Sequence, residues 1–190
     1  MDAFENLIAM LLRRDGYWTS TSFKVELTKE DKHAIERSSS PRWEIDVVAY
    51  KGSINELLAV ECKSYLDSNG IKFRNDCFEP PTAYKMFSDP TLRKVVLNRL
   101  KRQLSSTGAC AKNLKVKLCL AAGHIASVTK RDELKSYFEK HGWELFDEQW
   151  IFDQLEKAAK SGYENDVAHV VAKLITRNRK DALKSASEVR

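Results

Sequence analysis

This chain of 190 residues is poor in glycine (7), proline (4) and cysteine (4), and it has no long apolar run. Little glycine and proline excludes collagen-like and low-complexity architectures, and 43% hydrophobic residues is too many for a disordered chain. The cysteines, Cys62, Cys77, Cys110 and Cys119, never form a C-x-x-C pair. A structural zinc or dithiol motif is thereby disfavoured, and they read as small apolar side chains of a reducing compartment. Even the run Ile45-Asp46-Val47-Val48-Ala49-Tyr50 contains a carboxylate. A membrane-spanning helix needs about 20 apolar residues, so no span is expected. The opening Met1-Asp2-Ala3-Phe4-Glu5 is acidic where a secretory signal is basic, which makes the cytoplasm the expected location. Neither G-x-G-x-x-G nor G-x-x-x-x-G-K occurs, so nucleotide-driven activity is not expected. The histidines His33, His124, His141 and His169 are scattered, with no catalytic-triad spacing; His124, just after Gly123, is the one placed for a phosphate contact.

Charge, by contrast, is plentiful and unevenly spread. Lys and Arg number 32 against 27 Asp and Glu, a net +5. From Thr91 to Lys117 there are eight cations (Arg93, Lys94, Arg99, Lys101, Arg102, Lys112, Lys115, Lys117) and no acid, which leaves the rest of the chain net acidic. A second basic zone runs from Lys173 to Arg190. Clustered cations on a mildly acidic protein point to a polyanionic partner, although a solvated helix face has the same composition.

Periodicity gives the elements. Phe4, Leu7, Ile8, Leu11 and Leu12 repeat at helical spacing between an Asp2 cap and Gly16. Tyr17 to Leu27 alternates as a strand, a short helical turn can follow Thr28, and Ser38-Ser39-Ser40-Pro41 signals a loop. Two strand-like runs, Arg42 to Tyr50 and Glu56 to Lys63, flank a turn with Gly52 and Asn55. Tyr65 to Ala83 shows no period and reads as an extended loop, in which Tyr65, Lys72, Phe73 and Arg74 are placed to touch a substrate. A helix over Thr91–Ser105, a buried strand over Lys115–Ala122 and a helix over Thr129–Lys140 follow. Then come a short strand at Trp143–Phe146, a helix over Asp147–Lys160 and a last helix from Asn165 to Ser187. Trp43, Trp143 and Trp150 read as packing aromatics. The sum is an α/β domain over residues 1–160, a mixed central sheet flanked by helices, with a basic helical extension at 161–190.

Three side chains then stand out. With a four-residue turn at Gly52–Asn55, Lys51 faces Glu56, Tyr50 faces Leu57, and the same register brings Asp46 opposite Glu61. Glu61 and Lys63, two apart, share a face. Like charges across a ladder repel unless something neutralises them. Two carboxylates with a neighbouring ammonium suit a hard divalent cation such as Mg²⁺ and a phosphate, hence metal-assisted phosphodiester hydrolysis. A bare Glu-x-Lys triplet is common as a surface ion pair. An acid set among Ile45, Val47 and Val48 is not, because burial there demands a partner.

The stretch Glu44-Ile45-Asp46-Val47-Val48-Ala49, followed by Val60-Glu61-Cys62-Lys63, resembles the PD-(D/E)xK nuclease superfamily, with the restriction-endonuclease-like fold. Its pattern is nearest the Mrr-like and archaeal Holliday-junction-resolvase-like branches, with Ile45 where the motif name has proline. The resemblance covers about residues 1–125 and leaves the remainder outside it. It implies Asp46 and Glu61 as Mg²⁺ ligands (Mn²⁺ able to substitute) and Lys63 as the catalytic lysine. Glu5 matches the extra acid many members carry on the first helix, and Gln103 the glutamine some carry after the motif. The implied activity is Mg²⁺-dependent DNA endonuclease. Arg93, Lys94, Arg99, Lys101, Arg102 and Gln103 would lie along the backbone of duplex or branched DNA, with RNA left open. Enzymes that cut two strands are often dimers, so a homodimer is an expected assembly. The alternative is a catalytically inactive nucleic-acid-binding or assembly module on the same fold.

Overall fold

A computed structural model describes residues 2–36 and 42–188, the side chains of 179–188 excepted. The Ser38–Pro41 loop signal and most of the basic tail's side chains lie outside the described residues. Contacts group the chain into two compact units, one ending at Glu148 and the other starting at Gln149.

The first unit is a mixed α/β layer. Helix α1 (Ala3–Arg14) starts where the Asp2 side chain accepts the Phe4 N–H at 2.7 Å, and buries Phe4, Ile8, Leu11 and Leu12 on one face. Strand β1 (Trp18–Glu26) follows. Helix α2 (Lys29–Ala34) has a capping box between Thr28 and Asp31. Strands β2 (Arg42–Lys51) and β3 (Glu56–Lys63) form the expected hairpin, with Lys51↔Glu56, Tyr50↔Leu57 and Val47↔Val60 in register. Asn55, at φ +50°, takes the left-handed position of the turn that an Asn side chain tolerates.

The expected featureless loop after Lys63 is instead structured. Strands β4 (Lys72–Arg74) and β5 (Cys77–Glu79) form a hairpin around Asn75-Asp76, both at positive φ. A 3₁₀ turn and the single-turn helix α3 (Lys85–Ser88) come next. Three-residue strands are too short to show alternation, and a primed turn built from Asn-Asp lacks the usual glycine. Helix α4 (Pro90–Ser106) is capped by Asp89, whose side chain accepts the Leu92 N–H at 2.9 Å. Strand β6 (Lys115–Ala122), helix α5 (Val128–His141) and strand β7 (Glu144–Phe146) complete the unit.

The main sheet runs β1-β2-β3-β6-β7, antiparallel through β3 and parallel from β3 to β7. Leu57 and Ala59 of β3 and Leu118 and Leu120 of β6 pack with Leu92, Val96, Leu100 and Leu104 of α4 in one core. Val47, Ala49, Leu58 and Val60, of opposite parity, are also buried and face the α1 side. A parallel β3–β6 pair needs a crossover, and the segment from Ser64 to Leu114 supplies it.

The second unit holds most of helix α6 (Glu148–Lys160) and helix α7 (Val167–Glu188). His169 and Ala158 are fully buried there, while Val167, Val171, Leu174 and Ile175 are exposed. No described helix is long and apolar enough to cross a membrane.

Candidate active site

Strand β3 carries its core-facing stripe Leu57, Ala59 directly into Glu61 and Lys63, so the two charged residues leave the core at the strand's end on the same face. The β2–β3 ladder stops at Val47↔Val60. The Asp46–Glu61 opposition expected from that register is therefore not made as a ladder pair. Instead Asp46 Oδ2 accepts the Cys62 N–H at 2.7 Å, a side chain standing in for the next rung. On the other flank Ser22, across from Asp46, adopts φ +48° between the pairs Thr21↔Val47 and Phe23↔Ile45. Both neighbouring strands thus lose regular pairing at Asp46, and its carboxylate has room to turn toward β3. Asp46, Glu61 and Lys63 line one cavity of about 90 Å³ with Trp43, Met86 and Leu118.

Within it, Lys63 Nζ lies 3.0 Å from Glu61 Oε1, and both side chains are about four-fifths covered (24% and 18% exposed). The Lys63 ammonium also sits 5.8 Å from the centroid of the buried Tyr84 ring, whose hydroxyl donates to that of Tyr65 at 3.3 Å. Burial raises the Asp46 pKa, and the Cys62 amide and the Lys63 charge offset only part of that. Burial likewise raises Glu61 against the pull of Lys63, with Asp46 adding repulsion. For Lys63 burial works downward, but Glu61 and then Asp46 outweigh it, so its pKa rises and it stays an ammonium ion at neutral pH. Glu5, on α1, is raised by burial and then by Asp46, and its Oε2 is buried without a hydrogen-bond partner.

Asp46 and Glu61 inside the cavity, and Glu5 outside its lining but within reach of the Asp46 charge, all have raised pKa values, and one Glu5 oxygen is orphaned. Among the described residues no group of three or more His, Cys, Asp or Glu side chains is arranged to hold a metal ion by itself. The oxygens present do fit a hard cation in a sparser way: Mg²⁺ is usually held by one or two carboxylates and completed by water and phosphate oxygens. Asp46 and Glu61 are the two carboxylates of that cavity whose pKa values are raised, and Glu5 is not among its lining residues.

The basic-helix residues divide. Arg93 Nη1 donates to the carbonyls of Met86 (3.1 Å) and Phe87 (3.0 Å). Arg99 is ion-paired with Asp31. Gln103 bridges α4 to β1, donating to Lys24 O at 3.1 Å and accepting from Glu26 N at 3.0 Å, and does not line the cavity. Lys94, Lys101 and Arg102 are exposed. In the segment after Lys63, Phe73 is buried in the core, which removes it from any surface contact, while Lys72 and Arg74 are exposed. His124 lies 3.7 Å from Glu148, with its side chain 43% exposed. Tyr84 and Met86 were not singled out by sequence reasoning; they lie between the aperiodic stretch ending at Ala83 and the helix expected from Thr91, where no pattern pointed to them. No family model, curated protein or solved structure matches the chain.

Proposed function

We propose that the protein is a Mg²⁺-dependent nuclease of the PD-(D/E)xK type, hydrolysing DNA phosphodiester bonds on a restriction-endonuclease-like fold. The observation that carries this reading is the meeting of Asp46, Glu61 and Lys63 in one small cavity where the two acids are held at raised pKa. Asp46 and Glu61 would hold the ion, which when bound supplies Lewis-acid polarisation of a phosphodiester oxygen. Each residue's part follows from its contacts. The Cys62 amide fixes the direction of the Asp46 carboxylate. Glu61 keeps Lys63 protonated and aimed, so Lys63 acts as a fixed positive charge beside the phosphate in the transition state and not as a proton acceptor. The Tyr84 ring, below the ammonium, keeps water from one side of it.

Lys63→Met and Asp46→Asn are each expected to slow cleavage of labelled DNA in Mg²⁺ by about a hundredfold or more, the usual cost of removing one preorganised charge-stabilising group. Cleavage at the wild-type rate by either variant would sink the assignment. Binding of DNA without cleavage in Mg²⁺ or Mn²⁺ would favour the inactive module.

A further inference from the structure

The segment between β3 and α4 builds more than the back of the Lys63 cavity. Tyr84 stacks on Phe78, centroids 4.3 Å apart and planes at 16°. Phe78 in turn lines a second, open depression of about 390 Å³, together with Phe87, Tyr137, His141 and Trp143. Helix α3 divides the two: Met86 lines the Lys63 cavity, while Phe87 and Ser88 line the aromatic one. The aromatic wall is a file of flat groups. The Arg93 guanidinium lies 4.8 Å from the Trp143 centroid, His141 stacks on Trp143 at 4.5 Å and 26°, and Tyr137 packs against His141 at 4.3 Å. His141, in the middle of that file, is exposed to water, and Tyr137 at its end is half-buried.

Pro90 borders this depression and also a groove of about 490 Å³ lined by Lys94, Asn98, Arg102 and the Arg99–Asp31 pair. Rings at one end and solvated cations along the other are the pairing by which proteins take single-stranded nucleic acid: bases stack on the rings and phosphates follow the charge. A small organic cation is a poor match, because Arg93 already covers a face of Trp143. We propose that this joined groove binds an unpaired segment of nucleic acid, with a base against His141 and Tyr137 and the adjoining phosphates along Lys94 and Arg102. The substrate is then a strand with a single-stranded region and not uninterrupted duplex. This deepens the nuclease reading and rests on it for the substrate role; the binding itself does not depend on cleavage.

The test uses the full-length Asp46→Asn protein and fluorescence anisotropy. Three probes are compared: a labelled oligothymidylate, an abasic oligodeoxynucleotide of equal length, and a duplex. Oligothymidylate is expected to bind about tenfold or more tighter than the abasic strand, since each stacked base contributes that order of affinity. Tyr137→Leu and His141→Ala, added singly, are expected to weaken oligothymidylate about fivefold or more and leave the abasic strand unchanged. Equal affinity for base-bearing and abasic strands, tighter binding of duplex, or no binding at all would overturn the proposal, and the probe comparison needs no groove variant to fold. Wild-type cleavage in Mg²⁺ and Mn²⁺ is measured alongside. Cleavage with base-independent binding removes the groove alone; base-dependent binding without cleavage removes the nuclease reading alone.

Discussion

Asp46 stands where its charge is costly. Burial raises its pKa from the ordinary value, and a group that binds protons more tightly folded than unfolded loses stability as pH rises. Its contribution is fully present below about pH 4, where the unfolded carboxyl is protonated, and is lost as pH climbs through the raised folded value. Asp46→Asn keeps an oxygen for the Cys62 N–H and removes the charge. Its melting temperature is therefore expected to exceed wild type by about 2–4 °C at neutral pH, with the gap closing toward pH 4. If the proposed Mg²⁺ site is present, added Mg²⁺ is expected to raise the wild-type melting temperature and leave that of Asp46→Asn unmoved, since a ligand that binds only the folded, charged site stabilises only that protein. Thermal melts over that pH range, with and without Mg²⁺, read both; an Asp46→Asn protein less stable than wild type at neutral pH would show the carboxylate to be satisfied already. The three motif residues were legible in sequence because an acid in an apolar strand and a Glu-x-Lys at a strand end are local patterns. The orphaned Glu5 oxygen was not, since burial of one atom depends on what packs over it.

At the level of elements, the site depends on how closely β3 and β6 run at their C-terminal ends. Gly123 N–H donates to Lys63 O at 2.9 Å, extending the parallel pairing past Ala122. A Cβ at Gly123 would run into the Ser64 carbonyl oxygen and press on Phe4 of α1. Gly123→Ala is accordingly expected to cost about 1–3 kcal/mol, the usual range for forcing atoms into a packed site, and to displace Lys63. Denaturant unfolding together with the cleavage assay checks this; wild-type stability and activity would mean that the strand ends can part freely. Helices and long strands were legible within a residue or two, as with β6 at Lys115–Ala122 and α4 beginning at Pro90 behind its Asp89 cap. The hairpin β4–β5 and the turn α3 were not, and with them went Tyr84, Met86 and the aromatic groove. Nor could α4's sequence show that Arg93, Arg99 and Gln103 are engaged by Met86, Asp31 and Lys24, contacts made across 7, 68 and 79 residues of chain.

For the molecule as a whole, the concentrated charge bears on partner binding more than the net +5 does. With three of the six named α4 residues occupied within the fold, Lys94, Lys101 and Arg102 are the exposed cations left to meet phosphates there. Affinity for DNA is expected to fall steeply with salt, log K against log[salt] having a slope of about −0.7 to −0.9 per phosphate neutralised. Lys94→Glu with Arg102→Glu should flatten that slope by about two contacts, and an unchanged slope from anisotropy titrations would move the interface off α4. By itself the sequence determined the mixed α/β class, the hairpin register and the gathering of Glu61 and Lys63 on one face, because periodicity and parity act between near neighbours in the chain. Only the tertiary structure decided which cations stay free, that Asp46 takes the Cys62 amide instead of a ladder pairing, and that helix α3 lends Met86 to the Lys63 cavity and Phe87 to an aromatic groove. Those depend on side chains meeting across the crossover, where burial and pairing are set by distant segments and not by local pattern.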